Sequence, residues 1–191
     1  MTKALIVAAA AALTAAGMAN EYSIDAAHSS VGFKVRHLGI ASVNGSFSDY
    51  TAKATVDPAD LSTLQAEAVI QVGSIDTGIE RRDNHLRSDD FFNAEAYPTM
   101  TFVSREVRNV DGNELQLVGD LTIRDITREL VLDVEYLGSA TMRGTQVLGF
   151  EARGEINRFD YNLKWDAVTE AGGLIVGENV RLILELEATA N

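Results

Sequence analysis

The chain contains no cysteine. Disulfides, C-x-x-C redox or zinc motifs and a lipid-modified N-terminal cysteine are all excluded, so the fold must stand on packing alone. Positive charge is also scarce. Sixteen Lys and Arg face twenty-eight Asp and Glu, for a formal net charge of -12. Such a surface repels phosphate backbones, which argues against a nucleic-acid partner, and it limits membrane contact to transient encounters. There is no G-x-S-x-G elbow, no Gly-rich phosphate loop, no dinucleotide fingerprint and no H-x-x-x-H pair. Without these patterns the residues assign no catalytic group, no cofactor and no metal.

What is present begins with Met1-Thr2-Lys3, an Ala/Leu/Val run from Ala4 to Ala16, and Gly17-Met18-Ala19. A basic start, a short apolar stretch and a small-x-small site predict a cleaved signal peptide over residues 1–19. The run is too short to span a bilayer, which takes about 20 apolar residues. Residues 20–191 are then one exported domain, large enough for a substantial core.

From Tyr22 onward the apolar period is two. Val31, Phe33, Val35 and His37 alternate with Gly32, Lys34 and Arg36, and Leu64, Ala66, Ala68, Ile70 and Val72 share a face. Similar stretches occur around Phe102, Leu121, Leu132 and Phe150, and from Val180 to Leu186. Turn signals separate them at Asp57-Pro58, Asp111-Gly112-Asn113, Gly138-Ser139 and Gly172-Gly173. About eight half-buried antiparallel strands result, the last pairing back with an earlier one. Alternation alone fits a closed barrel and a two-sheet sandwich equally. One Trp and a polar C-terminus argue against an outer-membrane barrel.

Two stretches break the pattern. Thr77-Gly78-Ile79-Glu80 fits a capping box ahead of a short surface helix ending near Ser88, with Asp83 and Arg87 spaced to pair on it. Residues 158–170 read as an irregular loop with a helical turn. Asp25, His28 and Ser29 have the residue types of a hydrolase triad, but a side-chain-stabilised turn is the better reading of residues so close in sequence. Arg82 and His85 are candidates for contact with a ligand headgroup at a barrel mouth, against the plainer reading of a solvated helix face.

Several segments together resemble one family. They are Tyr22-Ser23-Ile24-Asp25 with His28-Ser29, Phe33 to His37, and Val43-Asn44-Gly45-Ser46-Phe47. Ser74 to Phe92 (SIDTGIERRDNHLRSDDFF), Tyr97-Pro98, Thr101-Phe102, Gly119 to Leu130 (GDLTIRDITREL) and Ile156-Asn157-Arg158 complete the set. The chain is similar to the YceI-like family of secreted, polyisoprenoid-binding, lipocalin-like proteins. The resemblance implies an all-β, eight-stranded antiparallel lipocalin-like barrel with a short helix between strands. It also implies a periplasmic location, no catalytic residues, often a homodimer, and an apolar interior for an isoprenoid, a quinone or another long-chain lipid. Strand parity then nominates Phe33, Val35, His37, Phe47, Phe102, Leu121 and Phe150 as the ligand-binding wall. Asp125 stands where the family's turn usually has Gly, a position Asp can occupy in a left-handed turn. The competing reading is a non-enzymatic stress-response or interaction scaffold whose barrel is filled.

Overall fold

The computed structural model describes residues 19–168, 170 and 172–191. The expected signal peptide therefore lies, but for its last residue, outside the described residues. Among the described residues, eleven strands account for the alternating stretches. They are β1 (Asn20–Ile24), β2 (Ser30–His37), β3 (Ala41–Phe47), β4 (Tyr50–Asp57), β5 (Asp60–Gln71), β6 (Ile75–Asp76), β7 (Thr99–Asp111), β8 (Glu114–Ile123), β9 (Ile126–Met142), β10 (Thr145–Asn157) and β11 (Val176–Ala190).

Their pairing decides between barrel and sandwich. Neighbours run β1, β4, β5, β7, β8, β9, β10, β11, and β11 pairs with β1 again through Tyr22↔Ala190 and Ile24↔Ala188. This is a closed eight-stranded antiparallel barrel. β2 carries on from β1 along the same edge of β11, from Ser30↔Glu185 to His37↔Val176. β3 pairs with β2 as β4 pairs with β1, and two-residue β6 pairs antiparallel with the end of β3. Closure leaves β11 no free edge, since β10 occupies its other side.

Side chains follow the pleat. On β9, Leu130, Leu132, Val134 and Tyr136 are buried, while Glu129, Val131, Asp133 and Glu135 face out. The turn expected at Gly138-Ser139 is instead a bulge. Gly149 pairs with Gly138 and Phe150 with Tyr136, so Leu137 is an extra residue in β9, and Gly138 has φ +124°. The hairpin turn comes later, at Arg143 and Gly144, both with positive φ, as a two-residue antiparallel connection favours. At the β8–β9 turn the left-handed residue is Arg124 (φ +57°) rather than Asp125.

The short helix α1 (Glu80–Arg87) forms where predicted, but its capping box does not. Ile79 occupies the N-cap position with no side-chain cap. Buried Asp83 instead reaches back and accepts from both the backbone N–H and the hydroxyl of Thr77. With Asp83 so engaged, Arg87 turns the other way and donates to the carbonyls of Gly73 (2.9 Å) and Ile75 (2.8 Å). The helix is thereby strapped to the barrel end from both sides. A 3-10 turn, Arg158–Tyr161, opens the second irregular stretch.

Candidate functional site

The barrel is hollow. Its interior holds a cavity of about 230 Å³ whose open surface is wholly apolar. On β11 the wall extends from Val176 to Leu186, about 26 Å of strand at 3.3 Å per residue once the bulge between Val176 and Val180 is allowed for, so the space is elongated. The inward residues that would fill a solid barrel are small in one sector. Ala52 and Ala54 on β4 face Ala68 and Ala66 on β5 as direct cross-strand partners, and all four line the cavity.

Of the seven residues nominated by parity, Phe33, Val35, Phe47, Phe102, Leu121 and Phe150 stand on this wall. His37 does not. The wall on β2 ends at Val35, and His37 is the last residue before the hairpin turn at Leu38 and Gly39. Nor do Arg82 and His85 reach the cavity. Arg82 donates through Nε to Thr77 Oγ1 and through Nη2 to the Thr77 carbonyl, both at 2.7 Å. His85 bonds Asp90 at 2.8 Å and lies edge-on to Phe91 and Trp165. Because Phe91 is itself a wall residue, His85 stands one layer behind the wall.

Two arginines that the sequence did not single out organise this end of the barrel. Arg158 is 2% exposed and donates to the carbonyls of Gly177 (2.9 Å), Val176 (3.1 Å) and Leu163, with its guanidinium 4.1 Å from the Phe159 ring centroid. Burial lowers its basicity, opposed by the charges of Glu178 and Asp166. Arg124 donates to the carbonyls of Phe91 and Asn162 and pairs with Asp89. Together they tie the two irregular stretches to each other and to β11. Nothing in the local sequence announces such contacts, because most of them span many residues. The alanine sector was more legible: Ala-x-Ala at inward positions of two successive strands signals missing volume.

Asp25, His28 and Ser29 form the expected turn. Asp25 Oδ1 accepts from the Ala27 N–H at 2.8 Å, and Ser29 Oγ accepts from the Glu187 N–H at 2.9 Å, which takes Ser29 away from His28. Hydrogen bonding to His28 holds the Asp25 carboxyl below its usual range, and the same bond, at 2.8 Å, raises His28. With Glu187 these residues bring three potential ligand atoms within 4.8 Å of one another, on the outer surface. His28 Nδ1 is already committed to Asp25 there.

A family model described as a YceI-like domain matches residues 22–188. A UPF0312 protein of Staphylococcus epidermidis is 43% identical over 163 residues, covering 84% of this chain and 92% of its own. The Campylobacter jejuni YCEI protein superposes with a TM-score of 0.73 at 34% identity, covering 82% of this chain and 90% of its own. A domain from Saccharophagus degradans, described as polyisoprenoid-binding and implicated in plant cell wall breakdown, shares the fold at 18% identity. Its TM-score is 0.64, over 89% of this chain and 98% of its own.

Proposed function

The chain belongs to the YceI-like family, and on that premise we propose that it is a non-catalytic lipid-binding barrel that carries or sequesters an isoprenoid or similar amphiphile. The observation that carries this reading is the elongated, wholly apolar cavity. A space of that chemistry has nothing to offer a sugar, a nucleotide or a metal, and much to offer a hydrocarbon tail. The described binding of the Saccharophagus degradans domain, which shares the fold, agrees with it.

Each five-carbon prenyl unit moved from water to such a wall gains about 4 kcal/mol, at ~0.8 kcal/mol per carbon. Several units would exceed the ceiling of non-covalent affinity, so ordering a flexible tail must offset most of the gain. Each methylene then discriminates little between tails, and selectivity falls to polar groups. The signal-peptide pattern over residues 1–19 supports export to the periplasm, an aqueous gap across which a lipid needs a carrier. A filled scaffold barrel is disfavoured by the cavity itself.

Native mass spectrometry of the exported protein, followed by organic extraction, tests the reading. A stoichiometric long-chain amphiphile is expected. An empty protein that also takes up neither a prenylated quinone nor a prenyl phosphate would overturn it.

A further inference from the structure

The cavity is closed at one end. Tyr22, Val56, Leu148 and Ala188 are fully buried in the core and stand off the cavity wall. Register gathers all four where β11 ends. Leu148 pairs with Ala188, Tyr22 with Ala190, and Val56 with Asn20, two residues from Tyr22. The β4–β5 and β7–β8 turns at this end carry Asp57, Asp60, Asp111 and Glu114. The opposite end differs. There β2 runs beside the start of β11, and wall residues Val31, Phe33, Val35, Val176 and Val180 all stay partly exposed. Cargo that enters the barrel therefore passes this end.

The β2–β3 hairpin stands beside this opening. Leu38 and Gly39 turn it, at φ +53° and +73°, and Ile40 follows. Ile40 is 86% exposed and Leu38 45%. The Leu38 N–H donates to the Ile175 carbonyl at 2.8 Å, and the Ile175 N–H to that of Ala167 at 2.9 Å, next to exposed Val168. Single exposed apolar side chains are ordinary, but these three lie on adjoining segments. Charge is distributed as unevenly. No Asp or Glu occurs from Ala26 to Ser48, in a chain that has twenty-eight. Lys34 and Arg36 alternate with the wall residues of β2 and so point outward. Neither forms an ion pair among the described residues, and Arg36 donates to Ser42 Oγ at 3.5 Å. Glu170 and Glu178 on the adjoining segments are exposed and temper this charge.

Resting on the lipid-carrier reading, we infer that the tip of the β2–β3 hairpin docks the open end of the barrel on a bilayer surface bearing anionic phospholipid. Leu38 and Ile40 enter the acyl boundary, while Lys34 and Arg36 meet headgroup phosphates. The same field repels the acidic closed end, which orients the barrel. The tail of the cargo then passes between bilayer and cavity without crossing water. Two cations on a strongly acidic chain make the contact weak and salt-sensitive, as a carrier that must leave again requires.

Vesicle flotation at low salt tests this. Wild type should float with vesicles of equal parts phosphatidylglycerol and phosphatidylcholine, and not with phosphatidylcholine alone or at high salt. Leu38→Asn with Ile40→Ser should lower the partition coefficient about tenfold. Lys34→Gln with Arg36→Gln should do the same. Asn suits the left-handed turn, and all four side chains lie off the cavity wall, so both pairs should take up a prenylated quinone from aqueous dispersion as wild type does. Both should extract it from the anionic vesicles about tenfold more slowly. Met142→Ser, at an exposed position on the β9–β10 hairpin of the closed end, should change nothing. A wild type that does not float, an equal loss from Met142→Ser, or equally slowed uptake from dispersion and vesicles would overturn the docking surface and leave the carrier reading standing. A wild type that takes up quinone from neither source would overturn the carrier reading.

Discussion

The guanidinium of Arg124 donates to the carbonyl of Asn162 at 3.1 Å, joining the β8–β9 turn to the end of the 3-10 turn. The same Nη1 donates to the Phe91 carbonyl at 3.1 Å, and Nη2 pairs with Asp89 at 2.9 Å. Arg124→Ala leaves both carbonyls without this donor while keeping a Cβ at positive φ. Hydrogen bonds to charged groups contribute about 1.5–3 kcal/mol each, so a loss of about 3–6 kcal/mol is expected in urea denaturation. Arg124→Gly relieves the left-handed backbone and should recover about 1 kcal/mol of that. Equal losses in the two variants would show that the turn is unstrained.

The alanine sector predicts the opposite combination of effects. Ala52 and Ala68 are direct partners on the cavity wall. Ala52→Leu with Ala68→Leu adds apolar carbons to empty space, so the ligand-free protein should melt at or above wild type. Uptake of a prenylated quinone should fall at least tenfold. Unchanged uptake would place the ligand elsewhere in the barrel.

Why parity found this wall, yet not its hollowness, has a physical reason. Which face a residue takes is a local property of a pleated strand, and Phe33, Phe102 and Leu121 needed only their neighbours to be assigned. Volume is a property of the closed ring. It is visible only when Ala52-x-Ala54 is set against Ala66-x-Ala68 in register. Gly138 misled because a glycine serves a bulge as readily as a turn. The capping box at Thr77 failed because Asp83 competed for the same donors. Parity assigns a face and not a reach: His37, the last residue of β2, is off the wall although its cross-strand partner Val176 is on it. The Arg124 and Arg158 clamps join distant segments and leave no periodic trace.

The surface pair Asp25 and His28 predicts a modest pH dependence. His28 is raised chiefly by its hydrogen bond to Asp25, so its contribution is full below the unfolded-state value of about 6.5 and fades as pH rises through the higher folded value. Asp25 is lowered chiefly by the same bond. Its contribution holds above about pH 3.9 and is lost as pH falls through the lower folded value. The turn is therefore tightest in the mildly acidic range between them. With a side chain 63% exposed, His28 adds little to global stability, so the sensitive measurement is an NMR titration. Asp25→Asn should bring the His28 midpoint down towards 6.5, and a midpoint that stays put would assign the shift to Glu187, 3.7 Å away.

Phe33 and Gly45 are cross-strand partners on β2 and β3, and the Phe33 ring lies over the glycine. A Cβ at position 45 would stand 2.6 Å from Phe33 Cε1 and 2.8 Å from Thr77 Cγ2, closer than real Cβ contacts allow. The Thr77 hydroxyl is held by Asp83 and Arg82, so the ring must give way. Phe33 lines the cavity and already packs 5.8 Å from Phe47, which leaves the cavity as the space it can enter. Gly45→Ala should thus cost about 1–3 kcal/mol as overpacking and reduce lipid uptake together. Phe33→Ala removes the obstructing ring, so adding Gly45→Ala to it should cost less than adding it to wild type. A double-mutant cycle reads this as a coupling energy of about 1 kcal/mol or more. Additive effects would mean that the glycine is required by Thr77 rather than by Phe33, and that this part of the wall is set by the β6 end instead of by the ring.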